Sequence, residues 1–295
     1  MKLWIRGQEV TAAAGLVTLE KSRRDTAAML TCRLWTAPAD RYFPDLTLAV
    51  GDAAVLRRAD GTAVFTGAVQ EVRRTPEQVQ LTAYDRGVYL SRNEISGVFC
   101  GSGGEIVRAV AARLGIAVGA VDAQSRYQTI VTRSGTAASA VLRQAAGEDR
   151  EIAMEGEALT VRRSVGEPVP LPTDRILAAS CAGSIRRMVN RGVVLSRKGT
   201  VLARQENTGD VRTYGQLQAV RTLSGTDAAA QARELLRRLE KTAEVTVLGD
   251  LNLRCGGLVQ LTAGWGLSGR WRAAACRHCW QNGVFTTELT LEEPT

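Results

Sequence analysis

Cys276, His278 and Cys279 fall within one short segment, Cys276-Arg277-His278-Cys279, and Cys255 lies upstream of it. Thiolates and an imidazole are zinc ligands, and zinc takes four of them in a tetrahedron. On a strand, however, Cys276 and His278 point to one face and Cys279 to the other. The three cannot converge without a bulge. The expectation is therefore that Cys276 packs in a core and that His278 lies in a sheet or at a subunit contact, with no metal and no cofactor. His278 is the only histidine, so a Ser-His-Asp or Cys-His nucleophile would have to use it. No Gly-x-Ser-x-Gly elbow accompanies it. Glu148, Asp149 and Glu151 read as a solvated charged turn, not as a catalytic carboxylate pair. Gly101-Ser102-Gly103-Gly104 precedes a helical pattern but lacks the Lys-Ser/Thr of a phosphate loop, so it reads as a turn and helix cap. These residues point away from catalysis.

The composition agrees with a globular protein: 295 residues, 45% hydrophobic and 23% charged. No apolar run reaches the roughly 18 residues that span a bilayer, and the N-terminus lacks a signal-peptide layout. The expectation is a cytoplasmically made protein with no membrane partner. The net charge of +8 raises a nucleic-acid-binding β-barrel as an alternative. Its arginines, though, are scattered in pairs such as Arg23-Arg24, Arg57-Arg58, Arg73-Arg74, Arg162-Arg163, Arg186-Arg187 and Arg237-Arg238, without the interleaved aromatics of a single-strand platform. The six cysteines are dispersed and read as thiols.

The elements that would position these residues are mostly strands. Alternation in Val17–Glu20, Met29–Trp35 and Val79–Tyr84 marks half-buried strands. Pro38 and Pro44 mark a loop, and Ala59-Asp60-Gly61 a hairpin turn. Helices are expected over Glu105–Leu114, closed by Gly115, and over Ala137–Ala146, followed by a hairpin at 152–161. Pro168, Pro170 and Pro172 suggest a linker. Strands are expected again at Ile185–Leu195 and Val201–Glu206. The longest helix is expected at about 226–242, capped by Thr226-Asp227 with Ala232, Leu235, Leu236 and Leu239 buried.

One β-unit occurs twice. Gly51–Leu56, Val64–Val69 and Val79–Tyr84 echo Gly256–Leu261, Gly269–Ala275 and Phe285–Leu291, each with a Gly turn before the first strand and a second Gly in the middle strand. The reading is mainly β with an α+β insert: a first barrel at 1–97, the insert at 98–167, and a second barrel at 168–295 carrying the long helix.

Four segments bear a resemblance. Tyr84-Asp85 with Tyr89-Leu90 and Asn93, then Met188-Val189-Asn190, then Tyr214-Gly215-Gln216-Leu217-Gln218, and finally His278 through Leu291 resemble the tail-hub proteins of contractile phages. These are the PBSX-type prophage tail proteins and the late control protein D group, which are gp27-like. The resemblance implies two tube-type β-barrel modules per chain and a homotrimer closed into a pseudo-sixfold ring. It implies a hexameric tail tube protein on one side and a trimeric spike or needle protein on the other. A LysM-containing hub partner, tape measure and baseplate wedge proteins are further implied partners, with nucleic acid only in transit through the bore. The location implied is the tail baseplate of a virion or phage-like particle. The family supplies no catalytic residue, and a tail-associated cell-wall hydrolase is the lesser alternative.

Overall fold

The computed structural model describes residues 1–37, 46–147, 149–163, 166–262, 264 and 267–294; Pro38, Pro44 and Glu148 lie outside them. The N-terminal strands are β1 (Lys2–Ile5), β2 (Gln8–Glu9), β3 (Ala14–Ser22), β4 (Met29–Trp35), β5 (Ala53–Arg57), β6 (Ala63–Arg74) and β7 (Gln78–Tyr84). Successive strand residues face opposite sides. One side, including Leu3, Ile5, Val17, Leu30, Leu34, Leu56, Leu81 and Ala83, meets in a single buried cluster. Strands from both ends of this stretch share that cluster, so the sheet curls around it.

The next elements are α1 (Gly87–Arg92), β8 (Gly97–Gly101), α2 (Gly103–Arg113), β9 (Ala117–Val121), β10 (Gln128–Thr132), α3 (Ala138–Ala146), β11 (Arg150–Glu155) and β12 (Ala158–Arg163). They gather a second core, in which Ile106 and Val110 of α2 and Val141 and Leu142 of α3 pack with Leu159 and Val161 of β12. Ser102 closes a capping box. Its hydroxyl accepts from the Glu105 N–H, and Glu105 Oε2 accepts from the Ser102 N–H at 2.7 Å. The glycine-rich segment is thus a helix cap in this structure.

The chain continues through β13 (Val169–Leu171), β14 (Ile176–Ser184), β15 (Arg191–Leu195), β16 (Val201–Glu206), α4 (Thr208–Tyr214), β17 (Gln218–Thr222), α5 (Ala228–Glu234), β18 (Glu240–Leu248), β19 (Leu258–Leu261), β20 (Gly269–Gln281) and β21 (Val284–Glu292). It forms two compact units, one of residues 1–179 with 244–295 and the other of residues 180–243. In the smaller unit β15 pairs antiparallel with β16 and parallel with β17. The protein is mostly β.

Three expectations need correction. The helix expected at about 226–242 ends at Glu234. The Arg237 and Val189 backbones bond to each other in both directions (2.9 and 3.0 Å), which pulls the chain out of helix, and the β-branched Glu240–Leu248 stretch becomes β18. The strand expected from Ile185 begins only at Arg191, because Ile185–Asn190 makes a turn and an isolated bridge. The proline segment contains β13, in which Pro170 sits beside Gln260 of β19. Proline is tolerated there because an edge strand can spare an N–H.

Candidate functional site: the doubled strand unit and its joint

The sheet order β14-β18-β21-β20-β3-β4-β7-β6-β5 contains one arrangement twice. β3-β4-β7-β6-β5 and β14-β18-β21-β20-β19 are the same order of strands. The correspondence extends to individual hydrogen bonds. Gly51 donates to the Val69 carbonyl at 2.8 Å, and Val69 donates to the Asp52 carbonyl at 2.9 Å. Gly256 donates to Ala273 at 2.8 Å, and Ala273 donates to Gly257 at 2.9 Å. Both turns need the left-handed backbone that glycine provides, with φ of 96° and 78°.

The middle strands also share a bulge. In the first copy Ala68 and Val69 oppose Tyr84 and Ala83, Gln70 is skipped, and pairing resumes at Glu71–Thr82. In the second, Arg272 and Ala273 oppose Glu292 and Leu291, Ala274 is skipped, and pairing resumes at Ala275–Thr290. An extra residue of this kind bends a strand and raises its twist. Aligned this way, Ala53–Leu56 matches Leu258–Leu261, since Ala53 opposes Ala68 and Leu258 opposes Arg272. The expected match of the middle-strand glycines does not hold: Gly67 corresponds to Trp271, and Gly269 to Phe65. The ladder to the first strand sets the register.

The copies meet where the C-terminal half of β20 pairs antiparallel with β3, from Ala275–Ser22 to Gln281–Leu16. Arg277 straps this joint, with Nε 3.0 Å from Glu20 and Nη1 3.0 Å from Glu288. Its head is partly exposed, so side-chain electrostatics contribute less than the backbone ladder.

The resemblance residues fall at chain junctions. Asp85 is buried between β7 and α1; its carboxylate accepts from Ala28 N–H (2.9 Å) and Gly87 N–H (2.8 Å). A Cβ on Gly87 would come within 2.2 Å of the Thr26 carbonyl, so the backbones meet there without room for a side chain. Leu90 is buried in the second core, Tyr89 is exposed, and Tyr89's carbonyl accepts from both the backbone and side-chain nitrogens of Asn93 (3.0 and 2.8 Å). Arg92 lies over the Tyr84 ring.

In the smaller unit Asn190 unites two motif segments. Its Nδ2 donates to the Gly215 carbonyl at 2.7 Å, and its Oδ1 accepts from Leu217 N–H at 2.8 Å. Met188 beside it is buried, Val189 bridges to Arg237, and Tyr214 and Gln218 are exposed.

His278 Nε2 lies 3.4 Å from Cys276 Sγ, and its Nδ1 lies 3.0 Å from Thr287 Oγ1. Burial holds the imidazole down at about 4 and pushes the Cys276 thiol up to about 12. Both shifts oppose a thiolate–imidazolium pair, so the contact is a packed one. Cys279 is buried on the opposite strand face, and among the described residues no group of three or more His, Cys, Asp or Glu is placed to hold a metal. The cluster borders a cleft of about 840 Å³, lined also by Lys21, Asp85, Glu151 and Arg254. Burial lowers the Lys21 pKa and raises those of Asp85 and Glu151, with each charge countering its neighbour's shift. The motif residues carried a signal for these junctions. β14, a run without charge or clear alternation, carried none that pattern reading detects.

A curled, β-rich chain built on a doubled strand unit defines a phage tail-hub fold. Solved structures share it. The 43 kDa tail protein of prophage MuSo2 from Shewanella oneidensis matches with TM-score 0.78 at 15% identity, covering 99% of this chain and 98% of that one. The tail protein from Neisseria meningitidis MC58 matches at 0.73 and 14%, covering 99% and 95%. The E. coli c3393 protein, a type VI secretion component with structural similarity to T4 bacteriophage tail proteins gp27 and gp5, matches at 0.63 and 9%, covering 99% and 76%. No curated protein matches by sequence. The chain belongs to the YQBQ-like family, which it matches over residues 17–292.

Proposed function

We propose that this chain is the hub subunit of a contractile tail or phage-like injection particle. Three copies form a pseudo-sixfold ring that joins a hexameric tail tube to a trimeric spike. The observation that carries the reading is the doubled unit, repeated down to its turn hydrogen bonds and bulge. Two such units per chain give three chains six similar faces. The tail-protein neighbours and the YQBQ-like family support the same reading. In this proposal the tube-type domains are residues 1–97 and 168–295, the insert is 98–167, and the role is structural, without a reaction.

Electron microscopy of the parent particle tests it. The expected result is density for three copies at the junction of tube and spike. A stable dimer by light scattering, with no tube protein captured in pull-downs, would overturn it. A shift of short DNA that weakens steeply with salt would instead favour the nucleic-acid reading, which rests on the +8 charge.

A further inference from the structure

The net charge of the chain is concentrated in one place. Residues 180–243 hold 12 of the 38 lysines and arginines and 5 of the 30 aspartates and glutamates, a net of +7 against +8 for the whole chain. The other 231 residues hold 26 and 25, a net of +1. Basic pairs recur all along the sequence, so the bias emerges only once the folded unit is marked off.

The five carboxylates of this unit are already engaged. Glu206 pairs with Arg191, Glu234 with Arg221 and Glu240 with Arg187. Asp210 accepts from the Asn207 side chain, and Asp227 caps α5 through the Ala230 N–H. Arg197, Lys198, Arg204 and Arg212 are exposed, and among the described residues none of them has an ion-pair partner.

The sheet brings three of these cations together. A Cβ on Gly192 would come within 2.2 Å of the Ala232 carbonyl, so α5 covers the Gly192 and Val194 side of β15. Residues alternate across a strand, so Val193 and Leu195 face the other way. Register places Arg204 and Val220 on either side of Val193, and Val201 and Thr222 on either side of Leu195. Val201 and Val220 are 51% and 52% exposed. The turn from β15 to β16 carries Arg197 and Lys198 at the Leu195 end of this face. One open sheet face thus sets exposed aliphatic side chains among cations that lack carboxylate partners.

We propose that this face docks an acidic partner protein, whose contact surface combines carboxylates with apolar side chains. Charge complementarity selects the occupant. A second copy does not supply it, because the rest of the chain is nearly neutral and the carboxylates of the basic unit are engaged. A nucleic acid would set Val201 and Val220 against phosphates, which reward polar and not aliphatic contacts. Tyr214 is the single aromatic among residues 180–243, so there is no platform for stacking bases. The face belongs to the single chain and does not depend on the hub reading.

Fluorescence anisotropy on the full chain at low salt tests the docking, with two labelled probes of equal net charge. One is a peptide of glutamate and leucine, the other double-stranded DNA. The expected result is tighter binding of the peptide, weakening as salt is added. Arg204→Glu and Lys198→Glu should each weaken it about tenfold or more, since each sets a like charge against the probe. Val220→Asp should weaken it too, and Arg204→Lys should retain it. Arg73→Glu, at an exposed cation of the larger unit, should bind as the unaltered chain does. Far-UV circular dichroism checks folding, and Lys198→Glu, placed in an exposed turn, carries the test should Arg204→Glu fail to fold.

No peptide binding, tighter binding of DNA, or an equal loss in Arg73→Glu would each overturn the proposal. Self-association of the chain that Lys198→Glu abolishes would assign the face to a second copy, and would overturn it as well.

Discussion

At the residue scale, burial favours the neutral forms of His278 and Cys276. His278 takes up a proton at about 4 in the folded chain against 6.5 when unperturbed, because burial disfavours its charge. Between these values the unfolded chain binds a proton that the folded chain does not, so stability falls as pH drops through the window and levels off below it. The whole effect amounts to about 3 kcal/mol. Asp85 and Glu151 act in the opposite sense, since their raised pKa values make ionisation costly and acid relieves it. His278→Gln should therefore remove an acid-sensitive component of about that size, read as the wild-type minus variant difference in urea unfolding between pH 6.5 and 4. The thiols give a second readout. Cys32, Cys255, Cys276 and Cys279 are buried with raised pKa values, whereas Cys100 and Cys181 are exposed. Alkylation of the native protein should stop after Cys100 and Cys181, and the remaining four should react only after denaturation, as peptide mass mapping would show.

At the scale of elements, the unit's identity lies in its ladder more than in its side chains. The shared register leaves few positions alike, among them Leu56 with Leu261 and Leu81 with Leu289, all buried. Leu56→Ala and Leu261→Ala should each cost about 2–5 kcal/mol in urea unfolding, the usual range for a buried leucine truncated to a cavity. A clear inequality between them would show that the copies pack differently despite equal hydrogen bonding. Much of this was legible beforehand. The Gly51 and Gly256 turns announced both first strands, and alternation announced β4 and β7. The α2 cap was also readable, because Ser102 and Glu105 are local in sequence. The end of α5 was not legible: the Ala232, Leu235, Leu236 and Leu239 spacing is a sound helical stripe, and only the distant Val189–Arg237 bridge breaks it. Pro170 misled for a similar reason, since its place beside Gln260 is set by a partner far along the chain.

At the scale of the whole molecule, one ladder carries backbone pairing through 13 strands. The unit of residues 180–243 is built differently. Its buried apolar side chains are Met188, Val193, Val194, Ala232 and Ala243, a small core for its length. Amides of β15, β16 and β17 should therefore exchange with solvent faster than those of β4 and β7, measured by hydrogen–deuterium exchange of the isolated chain. Equal protection would mean that the smaller unit opens only when the large sheet does.

The skipped residues Gln70 and Ala274 have one more consequence. A bulge that recurs at the same step of two ladders, while most side chains around it differ, means that two different sequences set the same bend. The chain therefore contains its own internal comparison: at Gly51 with Gly256 and Thr82 with Thr290 one backbone geometry is met by the same residue, and at most other steps by different ones.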